Sequence, residues 1–151
     1  VIKYKAPWND PSVVEENSVD LIVSQAVLEH VVDLDNIYRI LTLWLKPGGI
    51  MSHEIDFTSH ALATPWNGHR AIPEPIWKMM MGKRLYMINR EPCSTHLRLI
   101  EDCGLDLFCR MQLHRSDGIG RSSLSSRWKD ISDDDLMCST AFVQARKPAA
   151  A

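Results

Sequence analysis

The sequence lacks most of the features that sort a protein quickly. Its four cysteines, Cys93, Cys103, Cys109 and Cys138, contain no Cys-x-x-Cys pair. That argues against a zinc ribbon or a dithiol redox motif and leaves free thiols, as expected of a cytoplasmic protein. No apolar run approaches the roughly 20 residues of a bilayer span, and nothing reads as a signal peptide. Neither sign of charge dominates: 17 Lys and Arg stand against 19 Asp and Glu, for a net charge of -2. A broad footprint for nucleic acid or an anionic membrane is therefore absent; binding either would need a local patch that the totals hide, and nucleic acid is not expected as a partner. There is no internal repeat and no Gly-x-Gly-x-Gly loop. There is no initiating methionine either: the chain opens at Val1 in "VIKY", which reads as a strand, so it is expected to be a piece of a longer protein. Its end, "RKPAAA", reads as a frayed tail.

What is present suits one domain, residues 1–151, with 45% hydrophobic residues to build a core. Val19 to Val23, "VDLIV", is a short apolar, β-branched run that predicts a strand buried on both faces of a parallel sheet. Asp33 or Asp35 caps a helix whose apolar positions Leu34, Ile37, Tyr38, Leu41, Trp44 and Leu45 follow helical spacing. Lys46 suits the negative end of that helix, Pro47 cannot continue it, and Gly48-Gly49 supplies the positive φ to turn into the strand "IMSHEI". A strand, helix, strand crossover results. Residues 57–92 are rich in Pro, Gly, Trp and Met, with a partial helical rhythm near Ile76 to Met81, and read as an inserted cap or lid. A helix follows from Ser94, as N-cap, to Cys103, with Gly104 closing it. "LDLFCRMQLH" alternates like a half-buried strand, Ser116 to Asp135 is a polar loop, and "MCSTAFVQARK" is a final antiparallel strand.

This order, with "LEHV" after the first strand, "LKPGG" before the second, a helix ending "CGL" and a strand pair ending "ARKP", resembles the second half of class I S-adenosylmethionine-dependent methyltransferases. More narrowly it is similar to their small-molecule group. The resemblance implies an α/β fold: a partial Rossmann-like sheet, mostly parallel with a C-terminal antiparallel strand, whose N-terminal cofactor-binding half is missing. The family's glycine-rich loop and its ribose-binding acid have no counterpart here. The implied activity, in a full-length protein, is methyl transfer from S-adenosylmethionine to a small-molecule or lipid- or sugar-linked acceptor, the chain alone being inactive. The alternative is a non-catalytic module that binds a partner, or a second copy in a homo-oligomer, through its open sheet edge.

In such sheets, ligands sit beyond the carboxyl ends of the strands. The resemblance therefore places Ser24, Gln25 and Ala26 against the cofactor. His60 and Asp56 are candidate general bases, and His30 is a third catalytic candidate unless it only bonds neighbouring backbone at a helix start. His53, Glu54, Asp56 and His60 are too many ionisable groups to bury unpaired, so they face a solvated cleft, face each other, or pair with the next helix. Glu54, Trp66, Trp77 and Tyr86 are candidate acceptor contacts, the alternative for the aromatic residues being the lid's own core. Arg84, Arg90 and Arg98 either meet an anionic group of the acceptor or are solvated. No metal is expected, because Ala26 occupies the place of the first carboxylate in the Glu-x-x-Glu-His pattern by which some relatives bind a divalent ion.

Overall fold

The computed structural model describes residues 1–84 and 86–149. The last two alanines of the expected frayed tail lie outside the described residues. The elements are β1 (Val19–Gln25), α1 (Leu34–Trp44), β2 (Leu45–Asp56), α2 (Glu74–Met81), α3 (Cys93–Asp102), β3 (Asp106–His114), α4 (Asp133–Met137) and β4 (Cys138–Arg146). The strands form one mixed sheet in the order β1-β2-β4-β3. β1 and β2 are parallel, and β4 runs antiparallel to both β2 and β3. The fold is α/β, a partial Rossmann-like sheet with a C-terminal antiparallel strand, as expected.

α1 begins where its cap dictates: Asp33 accepts the backbone N–H of Asn36 at 3.3 Å. Its stripe Leu34, Ile37, Tyr38, Leu41 and Trp44 is buried, together with Ile40. With Leu97 and Ile100 of α3, the stripe packs on Met51, Ile55, Val143 and Ala145 of the sheet. Burying an aliphatic side chain of this kind contributes about 1.5–3 kcal/mol.

Four sequence expectations need correction. First, β1 is not buried on both faces. Leu21 is 56% and Val23 66% exposed. They share a face with Phe142 and Met111 through the registers Val23–Ser52–Gln144 and Gln25–Glu54–Phe142–Met111. Both sheet-packing helices, α1 and α3, lie on the opposite face, so this one is uncovered. Second, "VIKY" is not a strand; an extended segment with no neighbour to accept its backbone bonds does not enter a sheet. Third, the Pro-Gly-Gly segment is a bulge inside β2, between the pairs Val19–Leu45 and Leu21–Ile50, rather than a turn before it. Only Gly48 has a positive φ, at 81°. Gly49 serves a different need, because a Cβ there would lie 2.9 Å from the Lys46 carbonyl and 3.0 Å from that of Val19. Lys46 itself pairs with Asp20, and it is Lys147 Nζ that donates to the α1-terminal carbonyls of Thr42 and Leu45, at 2.8 and 2.9 Å. Fourth, Ser94 lies within α3 and does not cap it. Its N–H donates to Asp135 Oδ1 at 3.0 Å, a cap delivered from 41 residues away.

Residues 57–92 fold around their own small core of Trp77, Met87 and Ile88, packed by Ile72, Met80 and Met81. The segment expected as a polar loop contributes Leu124 and Trp128 to a second small core with Leu136 of α4.

Candidate functional site

β1 and β2 end side by side, and the turns beyond their carboxyl ends supply the site. After β1, Leu28–His30 make one 3-10 turn. Asn89, from the far end of the lid segment, fastens it: its side-chain amide donates to the carbonyls of Leu28 and Val31, both at 2.8 Å. Its backbone N–H donates to the Glu29 carbonyl at 2.6 Å. After β2, Asp56 Oδ1 accepts the N–H of Thr58 at 2.7 Å. The chain then turns through His60 and Ala61, both left-handed at φ 48° and 63°. Two consecutive non-glycine residues in that region carry strain that the surrounding bonds must hold.

The two turns bring Glu29, His30, Asp56 and His60 together. His60 Nε2 is 3.2 Å from Asp56 Oδ2 and 4.0 Å from Glu29 Oε1. The rings of His30 and His60 meet edge to face, 5.0 Å between centroids. Glu29 is 3% exposed. Among the described residues neither of its carboxylate oxygens has a hydrogen-bond partner, nor has Nδ1 of His30. Burial pushes the Glu29 carboxyl above the usual range, the dominant cause being loss of solvent.

His30 borders two clefts. One, about 350 Å³, is lined by His30, His60, Leu62, Tyr86, Met87 and Ile88. The other, about 360 Å³, is lined by Trp8, Asn9, Asp33 and Asn36 as well as His30. Both fall within the roughly 300–1,000 Å³ of small-molecule sites.

The other candidates are distributed as follows. Ser24 turns to the covered face, where its hydroxyl is 2.7 Å from Nδ1 of buried His53. Gln25 is exposed, and Ala26, left-handed at φ 51°, donates its N–H to the Glu54 carbonyl at 3.0 Å. Glu54 lies exposed on the uncovered face. Trp66 and Trp77 are buried away from both clefts, Trp77 beneath the Arg90 guanidinium at 4.3 Å. Tyr86, 69% exposed, borders the cleft of about 350 Å³. Arg90 is itself buried and paired with Glu74, whereas Arg84 and Arg98 are exposed. His53 enters the core as a neutral imidazole, its pKa pushed down to about 4 by burial. Sequence reading did not single out Glu29, Asn89 or Trp8. Glu29 was visible as the neighbour of His30 and as the second carboxylate of the incomplete Glu-x-x-Glu-His pattern, whereas nothing local marks an asparagine that bonds a turn 58 to 61 residues earlier.

A family model described as "Methyltransferase domain" matches residues 7–52, which span β1, the Leu28–His30 turn, α1 and most of β2. Solved structures match nearly the whole chain. The fold is that of a class I S-adenosylmethionine-dependent methyltransferase. A SAM-dependent methyltransferase from Methanosarcina mazei superposes with a TM-score of 0.61 at 14% identity, over 96% of this chain and 66% of that one. Phosphoethanolamine N-methyltransferase 2 from Haemonchus contortus, solved with phosphomonomethylethanolamine and S-adenosylhomocysteine, gives 0.53 at 17% identity, over 89% and 35%. The [4+2]-cyclase SpnF gives 0.54 at 15%, over 90% and 52%. The methyltransferase fold thus also carries a cyclase, and fold alone does not name a reaction. The chain spans about half to 70% of the length of the first solved chains it matches. No curated protein matches its sequence. Among the described residues no helix is long and apolar enough to cross a membrane.

Proposed function

We propose that this chain is the acceptor-facing part of an enzyme that transfers a methyl group from S-adenosylmethionine to a small-molecule or lipid- or sugar-linked acceptor. The observation that carries the reading is the position of His30 between two clefts of small-molecule size, with the His60–Asp56 pair on one side. S-adenosylmethionine, when bound, supplies an electrophilic methyl on a sulfonium. The residues that would hold it on one wall are exposed Gln25 and the Ala26 turn at the end of β1, with Trp8 and Asn36 along the cleft that also borders His30; Ser24 turns to His53 instead. The sequence holds no glycine-rich loop to complete the other wall.

On the acceptor side, Tyr86, Leu62 and Ile88 exclude water and orient the acceptor. With the methyl donor bound, His60 would take the proton of the acceptor's hydroxyl or amine. Asp56 stabilises the resulting imidazolium. Calorimetric titration with S-adenosylmethionine, of this chain and of a longer form carrying any coding sequence upstream of Val1, tests the reading. Heat in the longer form supports it; none in either form sinks it. In an active form, His60→Gln with Asp56→Asn is expected to lower kcat by about 10²–10⁴ with little change in donor affinity. The free thiols support a cytoplasmic setting.

One observation favours a second reading. Leu21 and Val23 are exposed on β1, whose outer edge has no strand neighbour in this sheet. A non-catalytic module that pairs with another chain there would give no heat with S-adenosylmethionine in either form.

A further inference from the structure

We infer that the cleft of about 350 Å³ beside His30 and His60 takes an uncharged phenol: an aromatic ring with apolar substituents and a single hydroxyl set against the two imidazoles. The role of such a molecule as methyl acceptor rests on the methyl-transfer function proposed above; its occupancy of the cleft does not.

Leu62, Tyr86, Met87 and Ile88 complete the lining, and among the described residues no lining side chain bears a fixed charge. The arginines that could have met a phosphate or carboxylate are engaged elsewhere. Arg84 donates to the Met80 carbonyl, Arg90 is buried against Glu74, and Arg98 pairs with Asp102 at 2.9 Å. An anion moved from water into this cleft loses its hydration and gains no partner. An aliphatic amine, a cation at neutral pH, fares no better, because Glu29 and Asp56 line a separate inner cavity with Arg70 and Arg90. A sugar brings several hydroxyls, each needing a partner when buried, and the lining offers only two imidazoles and the Tyr86 hydroxyl.

The side chains present suit a flat apolar ring. Met and Tyr are the types that pack well on one, through sulfur–ring and offset ring–ring contacts. Part of the wall is fixed before anything binds: Met87 and Ile88 are buried in the lid core around Trp77, and the next residue, Asn89, is bonded to the Leu28–His30 turn. Leu62 and Tyr86 are exposed and keep the mouth apolar as well. The rings of His30 and His60, 5.0 Å apart, then place the polar end. A phenol gives up its proton near pH 10, as tyrosine does, and so yields it to an imidazole more readily than an alkyl alcohol.

The test is titration of the 151-residue chain with 4-propylphenol, propylbenzene and 4-propylphenyl phosphate, followed by the methyl signals of Leu62, Met87 and Ile88 in carbon–proton NMR spectra, with far-UV circular dichroism confirming the fold of each variant. The phenol is expected to shift these signals saturably. Propylbenzene should bind about threefold more weakly or worse, for want of the hydroxyl, and the phosphate ester about tenfold more weakly or worse. Leu62→Asp is expected to weaken phenol binding about tenfold, and His60→Gln to erase the preference for the phenol over propylbenzene. Met111→Lys, on the bare face of the sheet, leaves binding unchanged. Absence of a saturable shift with the phenol overturns the proposal. So does binding that is lost in Met111→Lys and kept in Leu62→Asp. Equal or tighter binding of the phosphate ester overturns the acceptor class alone and leaves methyl transfer to the S-adenosylmethionine titration, which reads the other cleft.

Discussion

At the scale of single residues, Asn89 decides whether the site exists. Its side chain closes two bonds to the Leu28–His30 turn and its vicinity. Asn89→Ala removes the side-chain donor from the Val31 carbonyl and leaves the Leu28 carbonyl only the Val31 N–H at 3.2 Å, and is expected to cost about 1–3 kcal/mol in urea denaturation. A loss below ~0.5 kcal/mol would show that the turn holds without it. The buried histidines set a pH dependence. Burial drives the pKa of His53 down to about 4 and that of His96, packed against Tyr38, down to about 3. In the unfolded chain both titrate near 6.5 and take up protons that the folded state refuses. Stability is therefore full above pH ~6.5 and falls as pH drops toward 4, by up to about 1.4 kcal/mol per unit for each histidine. A urea midpoint unchanged between pH 7 and 4.5 would contradict this assignment.

At the scale of elements, the two adjacent glycines of the β2 bulge separate into different roles. Gly48 needs its positive φ and has open space around it, so Gly48→Ala is expected to cost about 1 kcal/mol. Gly49 has an ordinary φ, but a Cβ there presses on two backbone carbonyls that cannot rotate away. Gly49→Ala is expected to cost more than Gly48→Ala, and a reversed order of thermal midpoints would refute the bulge geometry. α1 could be read from local sequence, because its cap and its apolar spacing lie within the segment; the Pro-Gly-Gly expected to end it lies beyond its last residue, inside β2. The N-terminus of α3 could not be read so. Its cap comes from Asp135, which also accepts from Ser132 at the start of α4, and no short window contains both partners.

At the scale of the whole molecule, the sheet is covered on one side only. Leu21, Val23, Met111 and Leu113 each remain more than half exposed on the other, an apolar area of the kind monomeric proteins rarely leave open. Leu21→Lys with Val23→Lys is expected to keep the fold, since neither side chain enters the core, and to reduce self-association in sedimentation velocity at micromolar concentrations. Association unaffected by the pair would move the sticky surface elsewhere.

The sequence by itself determined the β1–α1–β2 crossover, the later helix and the closing strand pair, and the family resemblance, though not the absence of a strand at "VIKY" or the short α4. All three rest on periodicity, capping and turn chemistry within about thirty residues of one another. Tertiary structure decided the rest: that Glu29 meets His60, that Asn89 locks the turn between them, that Trp77 goes to the lid's core while Tyr86 borders the cleft, and that one sheet face is bare. Each of these depends on which distant segments pack together, and a local pattern of polar and apolar residues leaves that open because it fixes a side chain's face without fixing its neighbour.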